Sequence, residues 1–249
     1  MEQSNTQIIK SFKIQDELNP EIWGLDGDVY KMKPEIRSAL LEVVEDYADF
    51  SKLELDIEDI TLTGSLSNFN WSKFSDVDLH IIMDFPGGTN SLLKKYLDSR
   101  RIIWNSLRDV TIKGFDVEVY AQDSDEPHFA TGVYSVLYND WIVEPSKVED
   151  IIIDTSKLLS KAKDWMEKID MIEIDSERKE PSVVLMDIEK LKNKIKKYRG
   201  TGLKDEGEYS YENLVFKFLR RNDYLKKIND VRNTLIDKTL TVEEKVSAI

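Results

Sequence analysis

Apolar positions change their spacing along this chain, and the changes mark out its elements. Residues 1–30 are polar, with Pro20 and the run Gly24-Leu25-Asp26-Gly27 reading as turns. From Pro34 onward Ile36, Leu40, Val43, Val44 and Tyr47 recur at helical spacing, which predicts a helix over PEIRSALLEVVEDYADFSKL with Pro34 in its first turn. A short strand is expected at Asp59–Thr63, running into Gly64-Ser65, which should open the next turn or helix. Asp76–Met83 then alternates at its start: Val77, Leu79 and Ile81 face one way, Asp76, Asp78 and His80 the other. After Pro86-Gly87-Gly88, SLLKKYLDSRRIIWNSLRDV reads as a helix. GFDVEVYAQ alternates again, setting Phe115, Val117 and Val119 against Asp116, Glu118 and Tyr120. VYSVLYNDWIV reads as a hairpin around Asn139-Asp140.

Past Pro145 the texture changes. SKLLSKAKDWMEKI, SVVLMDIEKLKNKIKKY and YENLVFKFLRRNDYLKKINDVRNTLI are amphipathic at helical period, with RGTGLKDEGEYS (199–210) expected as a loop between the last two. Ser210 reads as the N-cap of the helix that follows. Strands and helices mixed in the first half, with helices alone in the second, predict an α+β fold. The expected division is a domain over 1–145, its core about 34–145, and a helical domain over 146–249. Trp104, Trp141, Trp165 and Tyr198 are expected in the cores.

Composition narrows the function classes. A chain of 249 residues with 41% hydrophobic and 33% charged residues is that of an ordinary soluble globular protein. No apolar run is long enough for a transmembrane helix, and the polar N-terminus lacks a signal-peptide core, so a cytoplasmic protein with no membrane partner is expected. The absence of cysteine removes disulfides, thiolate zinc sites and cysteine nucleophiles together. A formal net charge of −13 repels polyanions, so broad non-specific nucleic-acid binding is not expected.

The chemistry concentrates in LTGSLSNFNWSKFSDVDLHI. A period-2 strand sets Asp76 and Asp78 on one face, roughly 7 Å apart at the backbone. Two like charges held together cost energy unless a cation joins them, and hard oxygen ligands suit Mg²⁺, or Mn²⁺ in its place. Gly64 lets the backbone approach a phosphate, and the Ser65 hydroxyl can donate to one. Lys73 and Ser75, in the loop between, are counted with Gly64 and Ser65 as candidate triphosphate contacts. A third carboxylate is expected on a neighbouring strand. Glu118 is favoured over Asp116 because it sits centrally in GFDVEVY. His80 shares the acids' face, where it supports them by hydrogen bonding or packs; His128, Asn70 and Trp71 read mainly as loop residues. In the helical half Lys192, Lys194, Lys196, Lys197, Arg199, Arg220 and Arg221 read as a solvated helix face or as phosphate contacts, and Tyr211, Glu212 and Asn213 as further nucleotide contacts beside the cap.

A strand, Gly-Ser, then Asp-x-Asp and a carboxylate on a later strand resembles the DNA polymerase β-like nucleotidyltransferase superfamily, over residues 62–120. The resemblance implies a mixed-sheet catalytic core, Ser65 as phosphate ligand, Asp76 and Asp78 as metal ligands, and transfer of a nucleoside monophosphate from a nucleoside triphosphate with release of pyrophosphate. The third acid is Glu118 here, where Asp is commoner in that superfamily. NFNWSKFSDVDLHI, EPHFATGVYSVLYNDWIVEP and GLKDEGEYSYENLVFKFLRRNDYL are similar to uncharacterised nucleotidyltransferase-domain proteins of large tailed bacteriophages. For a phage-encoded chain the expected compartment is the host cytoplasm. The acceptor is left open among a small molecule, another nucleotide, a tRNA 3′ end and a protein hydroxyl. The competing expectations are a catalytically inactive nucleotide- or partner-binding regulator and a toxin–antitoxin type nucleotidyltransferase.

Overall fold

A computed structural model describes residues 5–88, 91–126, 130–147 and 151–241. The chain has an α+β fold and divides into two compact units, Ser11–Asp150 and Met1–Lys10 with Ile151–Ile249. The division by contact therefore falls after residue 150, and the N-terminal helix α1 (Asn5–Lys10) groups with the C-terminal helices.

The first unit opens with β1 (Trp23–Asp26) and β2 (Val29–Met32), an antiparallel hairpin that turns at Gly27 with φ 62°. Here the reading of residues 1–30 as a polar, turn-rich stretch is corrected. Gly24-Leu25-Asp26 is strand, and Leu18, Ile22 and Trp23 are buried. Too few apolar residues separate these anchors for a period to show, so the stretch reads as polar although it packs. Next come α2 (Pro34–Ser51), β3 (Asp59–Thr63), β4 (Val77–Met83), α3 (Leu92–Leu107), β5 (Thr111–Ile112), β6 (Phe115–Asp123), β7 (Val133–Ser135) and β8 (Asp140–Val143). The strands form one mixed sheet in the order β5-β6-β4-β3-β7-β8. Of these neighbours β4 and β6 are parallel, with α3 as the crossover between them; the other pairs are antiparallel.

Alternation along β4 and β6 decides where the core lies. Val77, Leu79 and Ile81 are buried, as are Phe115, Val117 and Val119. They join Ile36, Leu40, Val44 and Tyr47 of α2 and Leu97 and Trp104 of α3 in one apolar cluster. Tyr47 donates its hydroxyl to the Leu97 carbonyl at 2.8 Å and meets Trp104 edge-on at 6.2 Å, which joins the two helices. Burial pushes that hydroxyl's pKa up to about 12, so it stays a donor at any working pH. Arg37 of α2 donates to the carbonyls of Val136 and Leu137, both at 2.7 Å, and so ties the turn of the β7–β8 hairpin to the helix.

The second unit is helical: α4 (Thr155–Ser176), α5 (Pro181–Asp205), α6 (Tyr211–Arg221) and α7 (Tyr224–Leu240). Ile169, Ile172, Val184, Ile188, Ile195, Ile228 and Leu235 make its core, with Trp165 packed against it. Two readings are corrected here. The loop expected at 199–210 is helix as far as Asp205, followed by a 3₁₀ turn at Gly207–Tyr209. Gly202 does not stop the helix. It marks the closest approach of α5 to the start of α6, where a Cβ would lie 2.4 Å from the Glu212 Cβ and 2.7 Å from the Ser210 Oγ. The stretch from Tyr211 is likewise two helices, broken at Asn222-Asp223, where Asp223 adopts φ 61°. Ser210 does cap α6, its hydroxyl accepting from the Asn213 amide at 3.3 Å. Among the described residues no helix is long and apolar enough to cross a membrane.

Candidate metal and phosphate site

Pairing between β4 and β6 builds the site. The parallel register sets Asp78 opposite Glu118 and His80 opposite Tyr120, so the polar faces of the two strands form one row. Asp76 precedes β4 by one residue, at its N-terminal end. One carboxylate oxygen from each of Asp76, Asp78 and Glu118 lies within 4.8 Å of the others, and all three residues are half-buried. Asp116, the competing third acid, pairs instead with Thr111 of β5 and is exposed.

Gly64 links this cluster to the turn beside it. β3 ends at Thr63, opposite Asp78 in the antiparallel register. Gly64 follows with φ 76° and ψ −158°, a region open in practice only to glycine. A Cβ there would lie 2.0 Å from the Asp78 Oδ2. The missing side chain is therefore the space in which the Asp78 carboxylate sits. Ser65–Ser67 then makes a single 3₁₀ turn.

That turn is fixed from several directions. The Ser67 hydroxyl lies within bonding distance of the Gly64 and Gly132 carbonyls, at 3.0 and 2.9 Å. Gly132 must be small, since a Cβ on it would lie 2.2 Å from the Ser67 carbonyl oxygen. The indole of Trp23 donates to the Leu66 carbonyl at 2.7 Å, while its ring stacks on Trp141 at 4.7 Å and meets Tyr134 edge-on at 4.9 Å. Sequence reasoning missed both Trp23 and Gly132. Trp23 lies in the stretch dismissed as polar, and Gly132 looks like any loop glycine; a lone Trp between Pro20 and Gly27 was the available signal.

The candidate phosphate contacts differ in setting. Ser65 is half-buried and its hydroxyl donates to the Ser75 Oγ at 2.7 Å. Ser75 is buried, and its Oγ also accepts from the Ser72 amide at 3.0 Å, so this hydroxyl braces the loop that leads into Asp76. Lys73 is exposed, its ammonium 5.0 Å from the centre of the Phe74 ring. Trp71 is held by its indole donating to the Glu17 carbonyl at 2.9 Å, a packing role. His128 lies outside the described residues.

Behind the acids the row continues into an aromatic pair. Tyr120 donates its hydroxyl to the Glu118 Oε2. Its ring stacks on His80 at 5.1 Å and 25°, and the Arg101 guanidinium of α3 sits 4.7 Å from the ring centre. His80 Nδ1 is 2.7 Å from the Gln122 Oε1. Burial first, then the Glu118 carboxylate, push the Tyr120 hydroxyl well above its ordinary value, so it keeps its proton at neutral pH.

Among the helical-half candidates, Arg199, Lys192, Glu212 and Tyr211 have structural engagements within their own unit. Arg199 donates to the Asn213 Oδ1 at 3.0 Å, and Lys192 to the Asn229 Oδ1 at 2.9 Å. Glu212 pairs with Lys161 at 3.2 Å, and the Tyr211 hydroxyl accepts from the Asp154 amide at 3.0 Å.

Three hard-oxygen donors converging beside a glycine that leaves room for one of them are a donor set suited to Mg²⁺. Comparison with protein-family models, with curated proteins and with solved structures gives no match.

Proposed function

We propose that the protein is a metal-dependent nucleotidyltransferase of the polymerase β-like class, moving a nucleoside monophosphate from a nucleoside triphosphate to an acceptor and releasing pyrophosphate. The observation that carries this reading is the convergence of Asp76, Asp78 and Glu118 within 4.8 Å, with Gly64 packed against the Asp78 carboxylate. Nothing about a stable sheet requires three acids to meet, because like charges gathered in a half-buried place oppose folding. A cation reverses that cost.

In this reading Asp76, Asp78 and Glu118 would hold Mg²⁺, which would supply charge neutralisation along the triphosphate and a lowered pKa for an attacking hydroxyl. The Ser65 hydroxyl turns from the Ser75 Oγ to a phosphate oxygen, a substitution that needs only rotation about its side-chain bonds. Gly64 brings the backbone close to the same phosphate. Trp23 and Ser67 keep the turn in place while charge moves across it. The proton of the acceptor hydroxyl passes to a carboxylate of the cluster or to solvent.

The test is incubation with each nucleoside triphosphate and Mg²⁺ or Mn²⁺, with pyrophosphate release as the readout. Release by the wild type and none by Asp76→Ala is the expected result. Triphosphate binding without release under both metals, with a nucleotide, a tRNA and a protein each supplied as acceptor, would replace this reading with that of an inactive nucleotide-binding regulator. Growth arrest on expression in a bacterial host, relieved by Asp76→Ala, would mark the toxin class. Absence of both metal and triphosphate binding would overturn the site.

A further inference from the structure

We infer that Tyr120 is a positioning residue for the third carboxylate: its hydroxyl, bonded to Glu118, aims that side chain at Asp76 and Asp78 and so sets the metal affinity of the cluster. This rests on the metal-site reading above.

The argument starts from reach. Asp78 and Glu118 are register partners on adjacent parallel strands, so their backbones are fixed relative to each other by the ladder. The carboxylate of a glutamate, unlike the backbone, is free about three side-chain torsions, so the ladder alone does not direct it at Asp76 and Asp78. Something must select that rotamer. Along β6 the next residue on the same face is Tyr120, and its hydroxyl takes the Oε2 of Glu118. A carboxylate has two oxygens, so Oε1 stays available to the cluster while Oε2 is held.

Tyr120 can perform this role because it is itself held. His80, its register partner on β4, stacks on the ring, and His80 is fixed in turn by Gln122. Arg101 reaches the ring from α3. The chain Gln122–His80–Tyr120–Glu118 therefore runs up the polar row of the two strands and ends at the acids. It also accounts for a glutamate at this position. An aspartate is one methylene shorter and draws its oxygens back toward β6, away from the Tyr120 hydroxyl. A packing role alone would explain the ring contacts. It would not explain why the hydroxyl is spent on a carboxylate of the cluster.

Tyr120→Phe removes the hydroxyl and keeps the ring against His80 and Arg101. The readout is Mn²⁺ binding to the full-length protein, followed by electron paramagnetic resonance of free Mn²⁺. The expected result is a dissociation constant raised about 10–100-fold, the usual cost of losing a partner that orients a metal ligand. A double-mutant cycle separates positioning from packing. In a Glu118→Ala background, Tyr120→Phe should weaken Mn²⁺ binding no further. An equal loss in both backgrounds, or unchanged affinity in Tyr120→Phe alone, overturns the inference while leaving the metal site standing. Failure of the wild type to bind Mn²⁺ is a different outcome and overturns the metal-site reading itself.

Discussion

Lys161 and Glu212 meet at 3.2 Å in the helical unit, Lys217 and Glu208 at 2.8 Å, Lys227 and Asp170 at 2.7 Å, Arg232 and Glu189 at 2.9 Å. In the sheet unit, Asp76, Asp78 and Glu118 instead bring three like charges within 4.8 Å. The helical pairs are what helices packed side by side produce when their surfaces are rich in charge, and each pair contributes little. The acid cluster is a different kind of arrangement. Its cost is borne by a sheet whose register and whose Gly64 conformation both serve to bring the acids together. Opposite charges meeting are explained by the fold; three carboxylates meeting make a group that could hold a metal ion.

The largest effect that would break or sharpen this contrast comes from Asp78. Asp78→Ala should lower metal-dependent pyrophosphate release by on the order of 10³-fold or more, the scale seen when a main electrostatic element is removed. Mn²⁺ affinity should fall with it, and unchanged affinity would take Asp78 out of the metal site.

Gly64→Ala follows. The Cβ would enter the space of the Asp78 carboxylate, and the turn would carry strain of about 1–3 kcal/mol. Displacing the carboxylate by about 1 Å should reduce turnover by about 10²-fold. Metal titration is the direct check, and unchanged Mn²⁺ affinity would show that Gly64 and Asp78 do not depend on each other. Gly202→Ala is the matching change in the helical unit. Its Cβ would press on Glu212 and Ser210 where α5 meets α6, and overpacking of this kind costs about 1–3 kcal/mol. A lower melting temperature with unchanged Mn²⁺ affinity is expected. Altered metal affinity would show that this helical contact also governs the acids.

These two glycines also show what was legible in the sequence. Gly64 follows a strand and precedes Ser65 and the two aspartates, so its role was open to inference from local context. Asp59–Thr63 was expected as a short strand ahead of Gly64-Ser65, and the two faces of β4 and β6 followed from period-2 alternation, which set Glu118 on the row of Asp78. Gly202 lay within the stretch 199–210 that the sequence led us to expect as a loop. A glycine signals either a break or a close approach, and only the partner segment distinguishes them; here that partner is Ser210 and Glu212. Trp23 was hidden for a related reason. It braces Leu66, whose carbonyl is far away along the chain, and no period-based reading reaches across that separation. Tyr120 was assigned to the acids' face, yet its bond to Glu118 depends on side-chain torsions that alternation does not specify.

The smallest effect belongs to the helical pairs, and Lys161 is the one to test. Its ammonium pairs with Glu212 and also sits near the rings of Tyr198 and Tyr211. Burial pulls the Lys161 pKa down, but the bond to Glu212 and the Tyr198 hydroxyl outweigh it, and the net direction is up from 10.5. A raised folded-state pKa means that the pair's contribution is fully present below the unfolded value. It is lost only as pH climbs through the folded one. Lys161→Met keeps most of the aliphatic stem, so it isolates the charge. The half-exposed pair should contribute less than about 1 kcal/mol. Thermal melts of the variant and wild type should therefore differ by a small amount that holds between pH 6 and 9 and shrinks above pH 10.5. Added salt should shrink it too, since the pair is open to solvent. Mn²⁺ affinity should not move. If Lys161→Met instead weakened triphosphate binding while leaving the melt unchanged, the charge would be serving a ligand, and the contrast between the two units would fail.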